Sequence, residues 1–207
     1  MNIPAITHPF KPWLPYALAG LAFTVFNASA ASTVPGADGP GHEALKPLLA
    51  AINERIEIAD QVALTKWDSA QPVLDAQREA RVIAGARQQA GGYKLAADEA
   101  AQLLAAQIEA NKLVQYGLLA AWHTAGKAPE TPRPDLKNDI RPRLDALQNR
   151  LLRSYATFSP FRTSEACPGW LSQTLPGLAK DELHKLALIR ATGELCIRHA
   201  SLAAPQS

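Results

Sequence analysis

The chain has 207 residues, of which 47% are hydrophobic and 19% charged, and its formal net charge is +2. This composition argues against a disordered chain, and the small charge gives no electrostatic reason to expect nucleic acid as a partner. The length suits one domain or two very small ones. Alanine and leucine are abundant, β-branched residues are sparse, and only 6% of residues are aromatic, which favours an all-α fold.

The first thirty residues predict a cleaved signal peptide. Lys11 precedes an apolar run, Trp13–Phe26, whose length of about 14 residues suits a signal-peptide core and is short for a bilayer span of about 20. Ala28 and Ala30 fit the small positions of a signal-peptidase site, so we expect cleavage before Ala31. The alternative is an uncleaved anchor, which prolines before and within the run disfavour.

The mature chain is expected to be a short tail followed by one domain. Residues 31–41 are rich in glycine and proline and predict a flexible tail, and residues 42–207 predict a single all-helical domain. No other stretch approaches membrane length. We therefore expect an exported product, periplasmic or secreted, with no membrane contact after cleavage.

The two cysteines, Cys167 and Cys196, are expected to form a structural disulfide, since the predicted compartment is oxidising. In the chain-entropy model this disulfide contributes about 3–4 kcal/mol of stability. The alternative, a catalytic thiol, would need a nearby base and no oxidised partner.

Prolines and glycines divide the domain into helices, because a proline inside a helix costs about 3 kcal/mol. The sequence predicts a bundle of five to six helices without strands, with principal helices over residues 42–67, 73–90, 96–124, 136–158 and 178–202. On this division 159–176 is a loop that carries Cys167, and the last helix carries Cys196. The disulfide would then tie the last helix to the loop before it.

No metal site or phosphate loop is visible in the sequence. The histidines lack the spacing of metal ligands and are expected to be surface or capping groups; they are His8, His42, His123, His184 and His199. No nucleophile elbow is visible either, although spacing alone leaves a Ser-His-Asp site open.

Polar residues interrupt the apolar stripes of two predicted helices. In the first helix, Arg55 and Lys66 fall on the spacing of the core stripe. They are almost three turns apart and therefore point the same way, about 16 Å apart along the axis. In the third helix, the amides of Asn111 and Gln115 interrupt the stripe in the same manner.

Two more helices offer charged groups to the bundle. The second begins with Asp75, Arg78 and Glu79 on one face, and the fourth places Arg150 beside a leucine stripe. Each charge alone is explained by solvation at the margin of a core. Together they favour a shared pocket, because an unpaired charge inside a core costs several kcal/mol. The excess of cations suits a small dianion.

Three segments of the sequence carry a family resemblance. The first is residues 52–63 (INERIEIADQVA) together with Lys66-Trp67 and the PVLD and RE sequences at 72–75 and 78–79. The second is 107–116 (QIEANKLVQY), and the third is 147–152 (LQNRLL). Over roughly residues 42–200 the chain resembles the exported, all-helical (AroQ-type, gamma subclass) chorismate mutases.

The resemblance implies a unimolecular Claisen rearrangement of chorismate to prephenate, with no cofactor, no metal and no covalent intermediate. It implies that Arg55 and Arg150 bind carboxylates and that Arg78 assists at the other end of the substrate. Bidentate contacts explain why arginine is preferred there. The family also implies a homodimer.

The remaining site residues have implied roles of two kinds. Lys66 and Gln115 would donate hydrogen bonds to the ether oxygen of the substrate, where negative charge grows as the C–O bond breaks. Asp75 or Glu79 would meet the substrate hydroxyl, and Asn111 would add a polar contact near a carboxylate.

Two other functions compete with this interpretation. One is a periplasmic helical protein that binds a small dicarboxylate without transforming it, and the other is a helical adaptor whose polar stripes meet a partner helix. The pair of Lys66 and Gln115 discriminates against the first, because a carboxylate receptor has no use for donors aimed at an ether.

Overall fold

The computed structural model describes residues 39–197, and all regular secondary structure within this range is helical. The six α-helices, in chain order, are α1 (Pro40–Ser69), α2 (Ala76–Gln89), α3 (Ala97–Ala125), α4 (Arg141–Phe158), α5 (Cys167–Thr174) and α6 (Glu182–Thr192). A single π-helical turn, Leu136–Ile140, leads directly into α4. The predicted all-α class is confirmed, while the predicted signal peptide and its cleavage site lie outside the described residues.

Helix α1 lies at the centre of the bundle. It packs against α3, α4, α5 and α6, and α3 packs in turn against α2 and α6. Large aliphatic side chains of α1 are fully buried at four-, three- and one-residue intervals: Leu45, Leu48, Leu49, Ile52 and Ile56. Full burial of each such side chain contributes about 1.5–3 kcal/mol. None of the described helices is long and apolar enough to cross a membrane.

The start of α1 differs from the prediction, which placed residues 40 and 41 in a flexible tail. The helix begins at Pro40, where the fixed φ of proline suits the first helical position and its missing N–H costs nothing. Gly41 lies against the ring of Trp170 in α5, and a Cβ there would come within 2.3 Å of Trp170 Cη2. This close approach fixes the beginning of α1 to the bundle.

The disulfide is confirmed, but its structural setting was predicted wrongly. Cys167 and Cys196 are bonded, with their Cα atoms 5.8 Å apart. Cys167 is the first residue of α5, a helix that stands within the predicted loop 159–176. Helix α6 ends at Thr192, so Cys196 lies beyond the last described helix rather than inside it. The bond therefore ties the start of α5 to the segment after α6.

Arg162 explains why α6 does not continue to Cys196. Its guanidinium donates to the carbonyl oxygens of Glu194 and Leu195, each at 2.9 Å, and to Glu99 of α3 at 2.9 Å. Carbonyls that accept from Arg162 hold the chain in a turn after α6. The guanidinium also lies over the ring of Tyr155, 5.1 Å from its centroid.

Candidate active site

A cavity of about 120 Å³ lies between the first four helices. Three of its walls share one spacing, i, i+3, i+4 and i+7, which places four side chains on a single face of a helix. These sets are Asp75, Arg78, Glu79 and Val82 at the start of α2; Ile108, Asn111, Lys112 and Gln115 on α3; and Arg141, Leu144, Asp145 and Gln148 on α4. Helix α1 contributes Arg55, Val62 and Lys66.

The cavity brings together seven of the eight residues that the sequence singled out: Arg55, Lys66, Asp75, Arg78, Glu79, Asn111 and Gln115. Four polar lining residues were missed: Lys112, Arg141, Asp145 and Gln148. The sequence shows that the last three share one face of α4 with Leu144, but spacing alone does not say that this face borders the cavity. The prediction followed the buried leucines of that helix instead and chose the wrong margin of their stripe.

Arg150 does not line the cavity, so the prediction that it converges with the other cations is wrong. Its guanidinium pairs with Glu54 on the outer side of α1, and 56% of its side chain is exposed. The physical reason is helical phase. Gln148 faces the cavity, and Arg150 follows it by two residues, which is about 200° of rotation around α4.

The charged residues of the cavity fall into a paired and an unpaired set. Arg78 pairs with Asp145 at 3.0 Å, and Lys112 pairs with Glu79 at 3.1 Å and with Glu109 at 2.7 Å. Three lining cations form no ion pair with any residue between 39 and 197: Arg55, Lys66 and Arg141. An excess of unpaired cations around one cavity is the arrangement that an anionic ligand completes.

Arg55 has the most unusual environment of these cations. Only 6% of the residue is exposed, and its Nε atom has no hydrogen-bond partner among the described residues. Burial lowers the pKa of Arg55 to about 10, an effect that Asp145 partly offsets and Arg78 reinforces. The guanidinium is therefore still charged at neutral pH, and it would gain from an anion that accepts its hydrogen bonds.

A chain of hydrogen bonds orients the amide of Gln115. Asn111 donates from Nδ2 to the backbone carbonyl of Arg55 at 3.0 Å, so its Oδ1 is left to accept. Gln115 donates to that oxygen from Nε2 at 2.7 Å. Since an amide nitrogen has two N–H groups, Gln115 retains one donor beyond this bond. Its buried Oε1 has no partner within residues 39–197.

The carboxylates at the start of α2 are held in different ways. Asp75 caps the helix, since its Oδ1 accepts from the backbone N–H of Arg78 at 3.0 Å. Glu79 accepts from the backbone N–H of Asp75 at 3.4 Å and from Lys112. The nearby Lys112 side chain is only 14% exposed. Asp75 therefore keeps its second oxygen available, whereas both oxygens of Glu79 are engaged.

No group of three histidine, cysteine, aspartate or glutamate side chains in residues 39–197 is arranged to hold a metal ion. The lining of the cavity offers fixed cations and amide donors around a small space. Such donors can bind carboxylates and stabilise negative charge that develops on an oxygen atom.

Comparison with known proteins points to one family. The model of the family described as chorismate mutase type II matches residues 46–116, a range that holds the cavity residues of α1, α2 and α3. A secreted chorismate mutase of Mycobacterium tuberculosis is 28% identical over 167 residues, which cover 78% of this chain and 83% of that protein.

Two crystal structures extend the similarity beyond the range of the family model. The chorismate mutase of Burkholderia thailandensis has a TM-score of 0.71 and 32% identity, over 74% of this chain and 99% of that one. The chorismate mutase of Burkholderia phymatum has a TM-score of 0.74 and 42% identity, over 77% of this chain and 99% of that one. The family model matches the segment that holds the cavity residues of α1, α2 and α3, and the chain is 42% identical to a solved relative over 99% of that relative's length. The chain therefore belongs to the type II chorismate mutases, a family of isomerases.

Proposed function

We propose that this protein converts chorismate to prephenate in the cavity between the first four helices. In this rearrangement the ether C–O bond breaks while a C–C bond forms, within one molecule and without proton transfer, so no general base or nucleophile is needed. The observation that carries the proposal is the set of three unpaired cations in the cavity, Arg55, Lys66 and Arg141, beside the amide donor Gln115.

Arginines from three helices are the proposed carboxylate ligands. Arg55 and Arg78 keep the roles expected from the sequence, and Arg141 takes the place expected for Arg150, because it lines the cavity and has no ion-pair partner in residues 39–197. Guanidinium groups can bind each carboxylate through two parallel hydrogen bonds. Such contacts hold a flexible substrate in the compact conformer that brings its reacting carbons together.

Lys66 and Gln115 are the proposed donors to the ether oxygen. Lys66 is half-buried and forms no ion pair among the described residues. The side-chain amide of Gln115 is oriented by Asn111 and has one N–H group that this contact does not use. Donors that are already in position stabilise the charge that appears on the ether oxygen in the transition state. A millionfold acceleration would require only about 8 kcal/mol from these donors and the conformer selection together.

Asp75 is the proposed partner of the substrate hydroxyl. Its second carboxylate oxygen forms no hydrogen bond to a described residue, while Glu79 is engaged by Lys112 and by the backbone of Asp75. Glu79 is then a positioning residue that holds the start of α2 against α3. The proposed role of Asn111 is to orient the amide of Gln115, in place of the expected contact near a substrate carboxylate.

The direct test is the loss of chorismate absorbance after addition of the purified protein. We expect saturable turnover, and we expect Lys66→Ala to abolish it while the helical circular dichroism spectrum is preserved. Arg150→Ala is the matched control, since it removes a cation of α4 that points away from the cavity. Binding of chorismate without loss of absorbance would instead support a dicarboxylate receptor.

We also propose that the protein is exported, with cleavage before Ala31, and forms a homodimer. Two observations support export: a similar protein is named a secreted chorismate mutase, and a disulfide joins Cys167 to Cys196. N-terminal sequencing of the mature protein from the producing cell checks the cleavage site. Analytical ultracentrifugation checks the oligomeric state.

A further inference from the structure

Asp145 is a carboxylate in the cavity to which the proposed mechanism gives no role. It lies on the cavity face of α4, one turn beyond Arg141, and accepts a hydrogen bond from Arg78 Nη2 at 3.0 Å. The side chains of Arg78 and Asp145 are 31% and 63% exposed. The pair therefore lies at the solvent-facing edge of the cavity and joins α2 to α4.

Asp145 acts electrostatically on Arg55 as well. Burial lowers the pKa of the Arg55 guanidinium, the charge of Asp145 raises it, and the charge of Arg78 lowers it. Arg78 thus disfavours the charge of Arg55, and Asp145 is the carboxylate that offsets this effect at Arg55. A negative charge at this place also opposes the approach of an anionic ligand.

We propose that Asp145 is an internal counter-ion that limits the net charge of the cavity and so determines its selectivity for dianions. This inference rests on the proposed function, because it concerns the ligands of that same cavity. Asp145 pairs with Arg78 when no ligand is bound, and a carboxylate of the ligand takes the place of Asp145 at Arg78. Asp145 can then turn to solvent, to which most of its side chain is already exposed.

The composition of the lining explains the direction of this selectivity. Five cations, Arg55, Lys66, Arg78, Lys112 and Arg141, stand against three carboxylates, Asp75, Glu79 and Asp145. Loss of the Asp145 charge raises the excess of cations in the lining by one. A trianion gains more from that change than a dianion does, because its attraction to the cavity grows with its own charge.

The test uses Asp145→Asn in the full mature protein, with succinate and citrate as probes for a dianion and a trianion at pH 7. Asparagine keeps an oxygen that accepts from Arg78 and removes only the charge. Calorimetric titration should show tighter binding of both probes, with a gain of about two- to fivefold for succinate, the range of a partly exposed ion pair. The gain for citrate should be larger, and KM for chorismate should fall more than kcat changes.

Asp98→Asn is the matched control. Asp98 is also an exposed carboxylate paired with an arginine of α2, Arg87, but it does not line the cavity. We expect this variant to bind both probes as the native protein does. Asp145→Ala removes the acceptor as well as the charge, and because a ligand carboxylate takes the place of Asp145 at Arg78, it should show the same preference for citrate as Asp145→Asn.

The role of Asp145 would be overturned if Asp145→Asn raised the affinity for succinate and citrate equally or lowered the affinity for both. It would also be overturned if Asp98→Asn changed these affinities as Asp145→Asn does, or if the native protein bound neither probe. These results are separable from failure of the proposed function. A native protein that binds the probes but leaves chorismate unchanged refutes the mutase activity, and the ratio of citrate to succinate affinity in the variant still decides about Asp145.

Discussion

Arg141 and Arg150 lie on opposite sides of α4. They are nine residues apart, which amounts to about 180° around a helix. Arg141 lines the cavity and pairs with no carboxylate in residues 39–197, whereas Arg150 pairs with Glu54 on the outside of the bundle. One helix thus offers two arginines, of which only Arg141 is expected to contribute to catalysis.

We expect Arg141→Ala to lower kcat/KM for chorismate by about 1.5 to 3.5 orders of magnitude, because loss of a charged contact to a bound ligand costs about 2–5 kcal/mol. Arg150→Ala should leave kcat/KM within about twofold and change the free energy of unfolding by less than about 1 kcal/mol, as for an exposed pair. Steady-state kinetics and urea unfolding of both variants are the measurements. The reverse order of effects would restore Arg150 to the site.

Because residue 115 is a glutamine, we expect the pH profile of kcat/KM to have no optimum in acid. A glutamine donates a hydrogen bond at any pH, while a glutamate in its place must be protonated to do so, and its ordinary pKa is about 4.3. We expect kcat/KM of the native protein to stay level from mildly acidic to mildly alkaline pH. It should decline near pH 10, where Arg55 in the free protein loses its charge.

Gln115→Glu is the matched variant for this profile. At neutral pH its carboxylate would repel the developing charge on the ether oxygen, so we expect a loss of about 10²–10³ in kcat. Activity should recover as the pH falls and the carboxyl group becomes protonated. Activity of the native protein that is confined to acidic pH would contradict the role assigned to Gln115.

The sequence predicts the α1, α2 and α3 walls of the cavity well, and the reason is geometric. On a continuous helix, spacing alone determines that Arg55 and Lys66 share a face, and the same holds for Asn111 and Gln115. Which margin of an apolar stripe faces a cavity depends on how neighbouring helices pack, and spacing within α4 does not contain that information. The choice of Arg150 failed for this reason.

The end of the chain was harder to predict because its structure depends on contacts distant in sequence. Helix α5 has only eight residues, too few for a periodic signal, and Pro168 and Gly169 within it are typical of loops. The turn after α6 depends on Arg162, which reaches the carbonyl oxygens of Glu194 and Leu195. Helical propensity extends the last helix through this turn, whereas the tertiary hydrogen bonds stop it.

Reduction of the disulfide should destabilise the fold without altering the cavity. Cys167 and Cys196 join α5 to the segment after α6, and neither residue lines the cavity. We expect the reduced protein, or a Cys167→Ala, Cys196→Ala double variant, to lose about 2–4 kcal/mol of unfolding free energy. Urea unfolding with and without reductant measures the loss. At a temperature where both forms are folded, KM and kcat should agree within about twofold, since neither cysteine contributes to the cavity lining.

The fold should lose stability in acid near the start of α6. His184 of α6 is 1% exposed and lies between two carboxylates: Nδ1 is 2.7 Å from Asp181 Oδ1, and Nε2 is 3.0 Å from Asp60 Oδ1. Partial burial acts to raise the pKa of Asp181, but the hydrogen bonds from the backbone and ring of His184 prevail and lower it. A carboxyl group with a lowered pKa in the folded state contributes stability above its unfolded pKa, and that contribution is lost as the pH falls through the folded value.

Asp181→Asn tests this contribution because it removes the charge and keeps the helix cap. Asp181 caps α6 by accepting a hydrogen bond from the backbone N–H of His184, and asparagine can accept the same bond. We expect the variant to be less stable than the native protein at pH 7, and the difference to shrink as the pH falls below about 4, the ordinary pKa of aspartate. The effect should be modest, since half of the Asp181 side chain is exposed. Glu182→Gln, which removes an exposed charge from the same turn, should show a smaller difference at pH 7. A difference for Asp181→Asn that stays constant from pH 7 to pH 3 would mean that its origin is packing rather than charge.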